Sequence, residues 1–253
     1  MVITTLNEGK RIRNTLETLL QQTVECNIIV VDSCSTDSTE EEVRSINSPR
    51  IIFEKKRSSR GKGRNIGVGM ASSNIVLFTD GDATPSKNWV EEMSNCLKTF
   101  DLVVGKTLQE GPKKYSKFKR VELVYKGFEI TAPSMNMGIR RDVFLKVGGF
   151  DDRMVTAEDI DLNLRILMSD NTGTLCEKCV VTHNSRENLV SFLRQAYWNG
   201  YGRAQLKFKN KTVFNEIEKG KIEWNEVGII WFMRNVSAIF GYLHFLLLDK
   251  RKF

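Results

Sequence analysis

The chain has 253 residues, 41% of them hydrophobic, so it is long enough to bury a large core in one or two domains. Its formal charge of +7 comes from 38 Lys and Arg against 31 Asp and Glu, which favours anionic partners such as phosphates, nucleic acid or an anionic membrane surface. Five scattered cysteines are not the pattern of a disulfide framework, which favours a reducing compartment. The start, MVITTLNEGK, is too short in its apolar part for a secretion signal.

The first half of the chain alternates short apolar runs with helical periodicity. Four runs predict strands: VITTL (2–6), NIIVVDS (27–33), RIIFEKK (50–56) and NIVLFTD (74–80). Helical segments separate them, and this order predicts right-handed βαβ units in a mostly parallel sheet. Ligands of such sheets bind beyond the carboxyl ends of the strands, where Asp32 and Asp80 are expected to meet.

The second half of the chain is less regular. Three segments predict a strand, a basic loop and a second short strand: DLVVGKTL (101–108), QEGPKKYSKFKR (109–120) and CVVTH (179–183). Ile160, Leu164 and Leu167 share one face of a helix predicted to follow AEDID (157–161). Beyond Arg186 the sequence is helical and aromatic.

Two carboxylates stand one residue apart in LFTDGDATP (77–85), at the end of a predicted buried strand. Asp80 and Asp82 repel each other unless a cation or a set of donors neutralises them, and carboxylate oxygens suit hard ions such as Mg²⁺ or Mn²⁺. The alternative is a solvated turn in which an Asp caps the helix after Pro85. The pair alone does not choose between these interpretations.

Six sequence segments, taken in their order along the chain, favour the cation site over the solvated turn. They are TTLNEG (4–9), VVDSCSTDST (30–39), GKGRNIGVGMA (61–71), LFTDGDATP (77–85), MNMGIRRDVFLKVGGFDD (135–152) and AEDIDLNLR (157–165). Together they resemble the successive motifs of family 2 glycosyltransferases over residues 1 to about 185. The resemblance implies an α/β GT-A (Rossmann-like) fold, with a mostly parallel central sheet flanked by helices and a helical C-terminal appendage. It also implies a catalytic domain over 1–190, divided near residue 100 into nucleotide-binding and acceptor-binding halves, and a helical region over 191–253.

The resemblance implies a nucleotide-diphospho-sugar donor, with a UDP or GDP sugar expected. The residues implied around the nucleotide are Thr5, Glu8, Asp32, Lys62, Arg64, Asn65, Asp80 and Gly81. Asp32, an acceptor when ionised, would receive hydrogen bonds from a base or ribose edge. A helix N-terminal carboxylate remains the alternative for Glu8, and a solvated basic loop for Lys62 and Arg64.

The segment AEDID carries the implied chemistry. An inverting transferase needs a base that takes the proton of the acceptor hydroxyl, and the resemblance assigns this part to Asp159, with Glu158 orienting the acceptor or the base. An acidic cluster at a helix N-terminus is the alternative. Implied acceptor-side residues are Asn136, Gly138 and Trp198.

Further residues near these motifs have expected roles. Arg140 and Arg141 are expected to approach phosphates, and His183 falls where relatives supply a third metal contact beside Asp80 and Asp82. A structural histidine at a strand end is the alternative. Cys176 and Cys179 with His183 suggest zinc, but this set is one ligand short of a closed tetrahedral site.

Residues 227–253 form a long apolar segment interrupted by Arg234, Asn235 and His244. Tryptophan near its start and Lys-Arg-Lys near its end suit a helix in an anionic membrane interface, whereas a packed helix or a homodimer contact are the alternatives. This predicts peripheral contact with the cytoplasmic face of the cell membrane.

The sequence thus predicts a metal-dependent, inverting glycosyltransferase that uses Mg²⁺ or Mn²⁺ and acts on a hydroxyl of a lipid-linked or surface glycan. Transfer to a polyprenyl phosphate and a catalytically idle membrane-bound scaffold are the competing hypotheses. Nucleic acid is not an expected partner, because only diffuse basicity favours it.

Overall fold

The computed structural model describes residues 1–110, 118, 121–184, 188–220, 228–251 and 253. The elements in chain order are β1 (Val2–Thr5), α1 (Ile12–Leu20), β2 (Ile28–Asp32), α2 (Thr39–Ser45), β3 (Ile51–Lys55), α3 (Arg60–Met70), β4 (Ile75–Asp80), β5 (Ala83–Pro85), α4 (Trp89–Cys96), β6 (Leu102–Glu110), β7 (Leu123–Tyr125), β8 (Phe128–Glu129), β9 (Asn136–Arg140), α5 (Arg141–Lys146), α6 (Glu158–Met168), β10 (Gly173–Asn184), α7 (Leu189–Lys209), β11 (Glu218–Lys219) and α8 (Ile229–His244), which continues as a π-helical turn over Phe245–Asp249.

The chain forms two compact units. The first comprises residues 1–109, 133–150 and 165–184, and the second comprises residues 110–132, 151–164 and 185–253. The predicted division into a catalytic domain over 1–190 and a helical region over 191–253 stays a prediction.

The first unit is built on a mixed sheet. Within the described residues its strand order is β3-β2-β1-β4-β9-β6-β10-β5. The first four strands are parallel, as the βαβ pattern predicts, whereas β9 is antiparallel to both β4 and β6, and β5 is antiparallel to β10. The sheet is therefore parallel on the side that carries Asp32 and Asp80 and mixed beyond it.

Helices cover the parallel strands at close range. All five residues of β2 are buried, because helices pack on both of its faces. A Cβ placed on Gly67 of α3 would lie 2.4 Å from Cγ1 of Val2, so only glycine lets this helix rest directly on β1. These contacts fix the edge of the sheet at which β1, β2 and β4 end.

Strand β10 is longer than the five-residue strand predicted at 179–183, since it begins at Gly173. Glu177 and Lys178 are both exposed between the buried Cys176 and Cys179. Two consecutive outward residues break the alternation of period two, and this explains why the first part of the strand was not predicted.

The second unit contains a small antiparallel sheet of order β11-β7-β8 and the helices α7 and α8. These helices run in the same direction, because Ser237 contacts Leu193 and Phe245 stacks on Tyr201. A Cβ on Gly200 would lie 1.8 Å from the carbonyl oxygen of Ala238, so the helices touch through backbone.

Parts of several predictions lie outside the described residues. The loop predicted at 109–120 begins later than expected, because β6 continues through Glu110, and its remainder is not described apart from Phe118. Arg186, Val227 and Lys252 are also outside the described residues.

Candidate active site

Three strands of the first unit end side by side. In the register of the sheet, Thr5 of β1 pairs with Asp32 of β2, and Thr4 pairs with Asp80 of β4. The structure therefore brings Thr5, Asp32 and Asp80 to one edge, where ligands of parallel sheets bind.

Asp82 and His183 also meet in the first unit. Antiparallel pairing of β5 with β10 sets His183 opposite Ala83, and Nε2 of His183 lies 3.3 Å from Oδ2 of Asp82. On the other side, Oγ1 of the buried Thr15 donates to the carbonyl oxygens of Gly81 and Ala83, at 3.0 and 2.9 Å. The loop that carries Asp82 is thus held from both α1 and β10.

The electrostatics of this edge favour a cation. Burial and the negative charges of Asp82 and Asp80 raise the pKa of Glu8, partly opposed by Arg11. Burial works to raise the pKa of Asp82, but the hydrogen bond and charge of His183, together with Arg11, outweigh it and lower that pKa. The carboxylates of Glu8, Asp80 and Asp82 interact electrostatically, and the imidazole of His183 lies beside Asp82. Such a group suits a divalent ion such as Mn²⁺ or Mg²⁺.

Arg64 is one of the largest fully buried side chains of the chain, with 2% exposure. Its Nη2 lies 2.9 Å from Oδ1 of Asp80, and its guanidinium lies 5.5 Å from the ring centre of Phe150. Arg64 therefore does not lie in a solvated loop but contacts the strand that carries Asp80. A buried guanidinium held in this way orients the carboxylate it binds.

The loop after β1 is fixed by the loop after β2. The backbone amide of Glu8 donates to Oγ1 of Thr39 at 2.9 Å, and that of Gly9 donates to Oδ2 of Asp37 at 3.0 Å. Asn7 has a positive φ of 57°, a backbone conformation that Asn adopts more readily than most residues other than glycine. These contacts hold Glu8 near Asp80 and Asp82, and the sequence around Glu8 does not predict them.

Asp32 is completely buried at the end of β2. Its Oδ2 accepts a hydrogen bond from the backbone amide of Ser35 at 2.9 Å, and its Oδ1 accepts one from the Ser35 hydroxyl. In this state the carboxylate orders the loop after β2, and its contact with a nucleotide stays a prediction.

The other predicted nucleotide residues differ in exposure. Lys62 is exposed in the first turn of α3, whose N-cap is the side chain of Ser59. Asn65 exchanges two hydrogen bonds with the backbone of Phe150, at 2.8 and 2.9 Å. Gly81 is buried, and a Cβ there would lie 3.2 Å from Oγ1 of Thr5.

Asn136 and Gly138 lie inside the first unit. Asn136 accepts a hydrogen bond from Nε1 of Trp89 at 2.8 Å and donates to the carbonyl oxygens of Lys106 and Cys179, at 3.1 and 3.0 Å. A Cβ on Gly138 would lie 2.8 Å from Cδ2 of Leu77. These contacts give both residues a structural part, and their acceptor-side role stays a prediction.

Arg140 and Arg141, which were expected to approach phosphates, do not lie at the edge of the sheet that carries Asp80. Arg140 pairs with Ile75, at the start of β4, whereas Asp80 ends that strand about 17 Å away. Arg140 instead lies near Asp101, and Arg141 donates to the carbonyl oxygen of Val68. The antiparallel direction of β9 reverses the end of the sheet at which these residues lie.

In the second unit, the acidic segment follows a strained backbone turn. Ala157 has a φ of +61°, which a residue with a Cβ rarely adopts, and α6 begins at the next residue. Glu158 is buried, while Asp159 is half-buried and accepts a hydrogen bond from the amide of Ile160 at 2.9 Å. The two adjacent acids therefore have different environments.

Helix α7 packs against the turn at Ala157 and supports it. A Cβ on Gly202 would lie 2.6 Å from Cγ2 of Thr156, so the turn rests directly on the helix. Gln205 is buried, accepts from the amide of Val155 at 3.2 Å and donates to the carbonyl oxygen of Arg153 at 3.3 Å. The sequence pattern did not identify Gly202 and Gln205 as positioning residues.

A charge network follows on the same helix. Lys209 contacts Asp151 at 2.6 Å and the completely buried Asp161 at 2.8 Å. Hydrogen bonds from Arg153 and Lys209 hold the pKa of Asp151 far below its usual range, although burial opposes them. The network fixes both ends of the segment that contains Asp159.

Trp198, also on α7, is 38% exposed and packs edge-on against Tyr197 and Tyr201. Its ring is thus available at the surface of the second unit, and its acceptor-side role stays a prediction.

Two solved structures resemble the chain over nearly its whole length. The mannosyltransferase PcManGT from Pyrobaculum calidifontis, in complex with GDP-Man and Mn²⁺, has a TM-score of 0.64 at 17% identity, covering 98% of this chain and 74% of that one. TarS 1–349 of S. aureus, in complex with UDP-GlcNAc, has a TM-score of 0.62 at 18% identity, covering 96% of this chain and 80% of that one. The predicted GT-A fold is confirmed.

Sequence relatives agree with this class of protein. The glycosyltransferase AglE of Haloferax volcanii is 24% identical over 222 residues, which are 81% of this chain and 73% of AglE. The pre-mycofactocin glycosyltransferase of Mycobacterium tuberculosis is 23% identical over 238 residues, and the chain spans only 49% of its length. The family model "Glycosyl transferase family 2" matches residues 1–148. The chain therefore belongs to glycosyl transferase family 2, as the order of its motifs predicts.

Proposed function

We propose that this glycosyltransferase is metal-dependent and inverting, and that it moves a sugar from a nucleotide-diphospho-sugar to an acceptor hydroxyl. The observation that carries the proposal is the contact of Asp82 with His183, whose Oδ2 and Nε2 lie 3.3 Å apart, two residues after Asp80 ends β4. Asp80 at the end of β4, Asp82 in the turn that follows and His183 on β10 support a cation site at the edge where this fold class binds ligands.

The donor nucleotide is proposed to lie along the ends of β1, β2 and β4. Thr5, Glu8 and Asp32 offer hydroxyl and carboxylate groups to base and ribose. Lys62, exposed at the start of α3, offers a charge for phosphate, while Arg64, Asn65 and Gly81 shape the loop around Asp80. PcManGT with GDP-Man and TarS with UDP-GlcNAc make a GDP or UDP sugar the expected donor.

Asp80, Asp82 and His183 would hold the Mg²⁺ or Mn²⁺. When bound, the cation supplies positive charge against the diphosphate that leaves the sugar. The chain's part is to keep the three ligands in place: Arg64 orients Asp80, and Thr15 and β10 hold the loop of Asp82.

Asp159 is proposed to act as the general base. It is half-buried, so it stays accessible to an acceptor hydroxyl, while the buried Glu158 beside it orients the acceptor or the base. The strained turn at Ala157 and its support by Gly202 fix the position of both acids.

The presence of this base favours a hydroxyl acceptor. A polyprenyl phosphate is already ionised and needs no strong base, whereas a sugar hydroxyl must lose a proton as its oxygen attacks the anomeric carbon. We therefore favour a hydroxyl on a lipid-linked or surface glycan.

The experiment is a measurement of nucleoside diphosphate release from a panel of UDP and GDP sugars, with lipid-linked and soluble glycan acceptors. We expect one donor to be turned over only with Mn²⁺ or Mg²⁺, and chelation with EDTA to abolish release reversibly. The product anomer, read by NMR, should be opposite to that of the donor. A retained anomeric configuration or full activity in EDTA would contradict the proposal.

Peripheral membrane contact is the second part of the proposal. Within the described residues, one helix, Ile229–Asp249, is long and apolar enough to cross a membrane, with a mean hydropathy of 1.3. Only 11% of its apolar window is buried, and seven of its large apolar residues are exposed: Ile229, Phe232, Ile239, Phe240, Leu243, Leu247 and Leu248, all but the last along one stripe. An unpartnered stripe of this kind, followed by Lys250 and Arg251, suits an anionic lipid surface.

Replacing Phe232, Phe240 and Leu247 together by Ser is expected to lower binding to anionic phospholipid vesicles at least tenfold, because each side chain contributes about 1.5–3 kcal/mol on burial. Sedimentation with the vesicles measures it. The matched control is Leu145→Ser, an exposed apolar residue of the first unit. Equal partition of the triple variant and wild type would remove the membrane role.

A further inference from the structure

Three of the five cysteines gather in the first unit. Cys96, Cys176 and Cys179 have sulfur atoms that all lie within 4.8 Å of one another, and no disulfide joins them. Cys176 and Cys179 come from β10, and Cys96 is the last residue of α4, some 80 positions earlier in the chain. The sequence pattern offered only the pair with His183, but His183 faces Asp82.

We propose that Cys96, Cys176 and Cys179 form a thiolate site for a zinc-class divalent cation that joins helix α4 to strand β10. Zinc bonded to sulfur at about 2.3 Å sets the ligand sulfurs about 4 Å apart, within the spread of this cluster. The contact between Cys176 and Cys179, now 2.7 Å, would open by about 1 Å on binding.

The environment of the cluster suits a cation. Cys176 and Cys179 are buried and Cys96 is half-buried, so the site is enclosed with one partly open side. Glu92 lies one turn before Cys96 on α4, and its charge reaches both Cys96 and Cys179. The three sulfurs leave the fourth position of a tetrahedral zinc site to a water molecule.

Without a cation the thiols of Cys96 and Cys179 hold their protons. Burial, with the neighbouring Cys176, raises the pKa of Cys96 to about 11, and burial also raises the pKa of Cys179. Zinc binding displaces those protons, since the thiolate is the ligand form. The two positive charges of the ion then offset most of the negative charge of the three thiolates.

The site would brace a strand that the proposed donor site uses. Cys179 precedes His183 by four residues on β10, and its carbonyl oxygen is also held by Asn136, which bonds Trp89 of α4. A metal ion bound by α4 and β10 would add a second connection between these elements, beside the hydrogen bonds of Asn136. The cluster is thus a structural site, separate from the hard-cation ligands Asp80 and Asp82.

The test uses the full chain, purified without chelator from zinc-supplemented medium, and its metal content. We expect about one zinc ion per chain, lost in Cys96→Ser and kept in the matched control Cys26→Ser, which is half-buried outside the cluster. With Co²⁺, thiolate-to-cobalt charge-transfer absorption should appear in wild type and in Asp82→Asn, but not in Cys96→Ser. Loss of the band in Asp82→Asn but not in Cys96→Ser would overturn the proposal.

A measurement on wild type alone guards against a misfolded variant. Zn²⁺ should slow the alkylation of Cys96, the half-buried member of the cluster, in the folded chain. Equal labelling with and without zinc, or recovery of a Cys176–Cys179 disulfide from freshly purified protein, would also overturn it. Neither outcome bears on donor turnover, so this proposal and the proposed function fail separately.

Discussion

Replacing Asp159 by Asn is expected to lower kcat by about 10²–10⁴-fold while leaving the affinity for the nucleotide sugar unchanged. Asn has the shape of Asp and can still accept the hydrogen bond from the amide of Ile160, so the start of α6 should stay folded. It cannot take a proton from an acceptor hydroxyl. Steady-state kinetics with the preferred donor, and donor binding measured separately, check both parts.

Two further variants make this result specific. Asp142→Asn changes an exposed acid of the first unit in the same way and should leave kcat within about twofold. Glu158→Gln should reduce activity less than Asp159→Asn, because Glu158 is proposed to orient rather than to accept the proton. Unchanged turnover in Asp159→Asn would remove this residue from the mechanism and favour a phosphate acceptor.

Replacing Lys209 by Met is expected to lower the free energy of unfolding by about 3 kcal/mol. The Lys209 ammonium lies 2.8 Å from the completely buried Asp161 and 2.6 Å from Asp151, and Met keeps the apolar stem while it removes the charge. Denaturation in urea measures the loss. Lys207→Met, at an exposed position of the same helix, should cost less than about 1 kcal/mol.

The Lys209 effect should depend on pH. The folded state lowers the pKa of Asp151, so the stabilisation is complete above the ordinary Asp pKa of about 3.9 and is lost as the pH falls below it. The stability difference between wild type and Lys209→Met should therefore shrink as the pH falls from about 4 to about 2. A difference that stays constant over that interval would show that the lost charge is not its cause.

The parallel half of the sheet could be predicted from the sequence, because its strands are continuous apolar runs between periodic helices. The same reasoning placed Asp32 and Asp80 at one edge, and the register of β1 with its neighbours confirms this. The mixed half could not be predicted in this way. Nothing in the local pattern of β9 fixes its direction, so the pattern does not show that Arg140 lies at the opposite end of the sheet from Asp80.

Residues that act across long sequence distances were also beyond the pattern. Thr15 holds the carbonyl groups on both sides of Asp82, and Cys96 joins a cysteine pair some 80 positions later. The role of Gly202 as a positioning residue follows only from the close approach of helix α7 to the turn at Thr156. Such roles depend on tertiary contacts, whereas periodicity reports only which face of an element is buried.

The most direct test of the account is calorimetric titration of the preferred nucleotide sugar into wild type and Asp82→Asn, each with and without Mn²⁺. We predict that Mn²⁺ strengthens binding to wild type at least tenfold, about 1.4 kcal/mol, and that Asp82→Asn loses this gain while Asp142→Asn keeps it. Two results would contradict the account: equal donor binding to wild type with and without Mn²⁺, or the full gain in Asp82→Asn. Either would show that the metal ion is not bound by Asp80, Asp82 and His183.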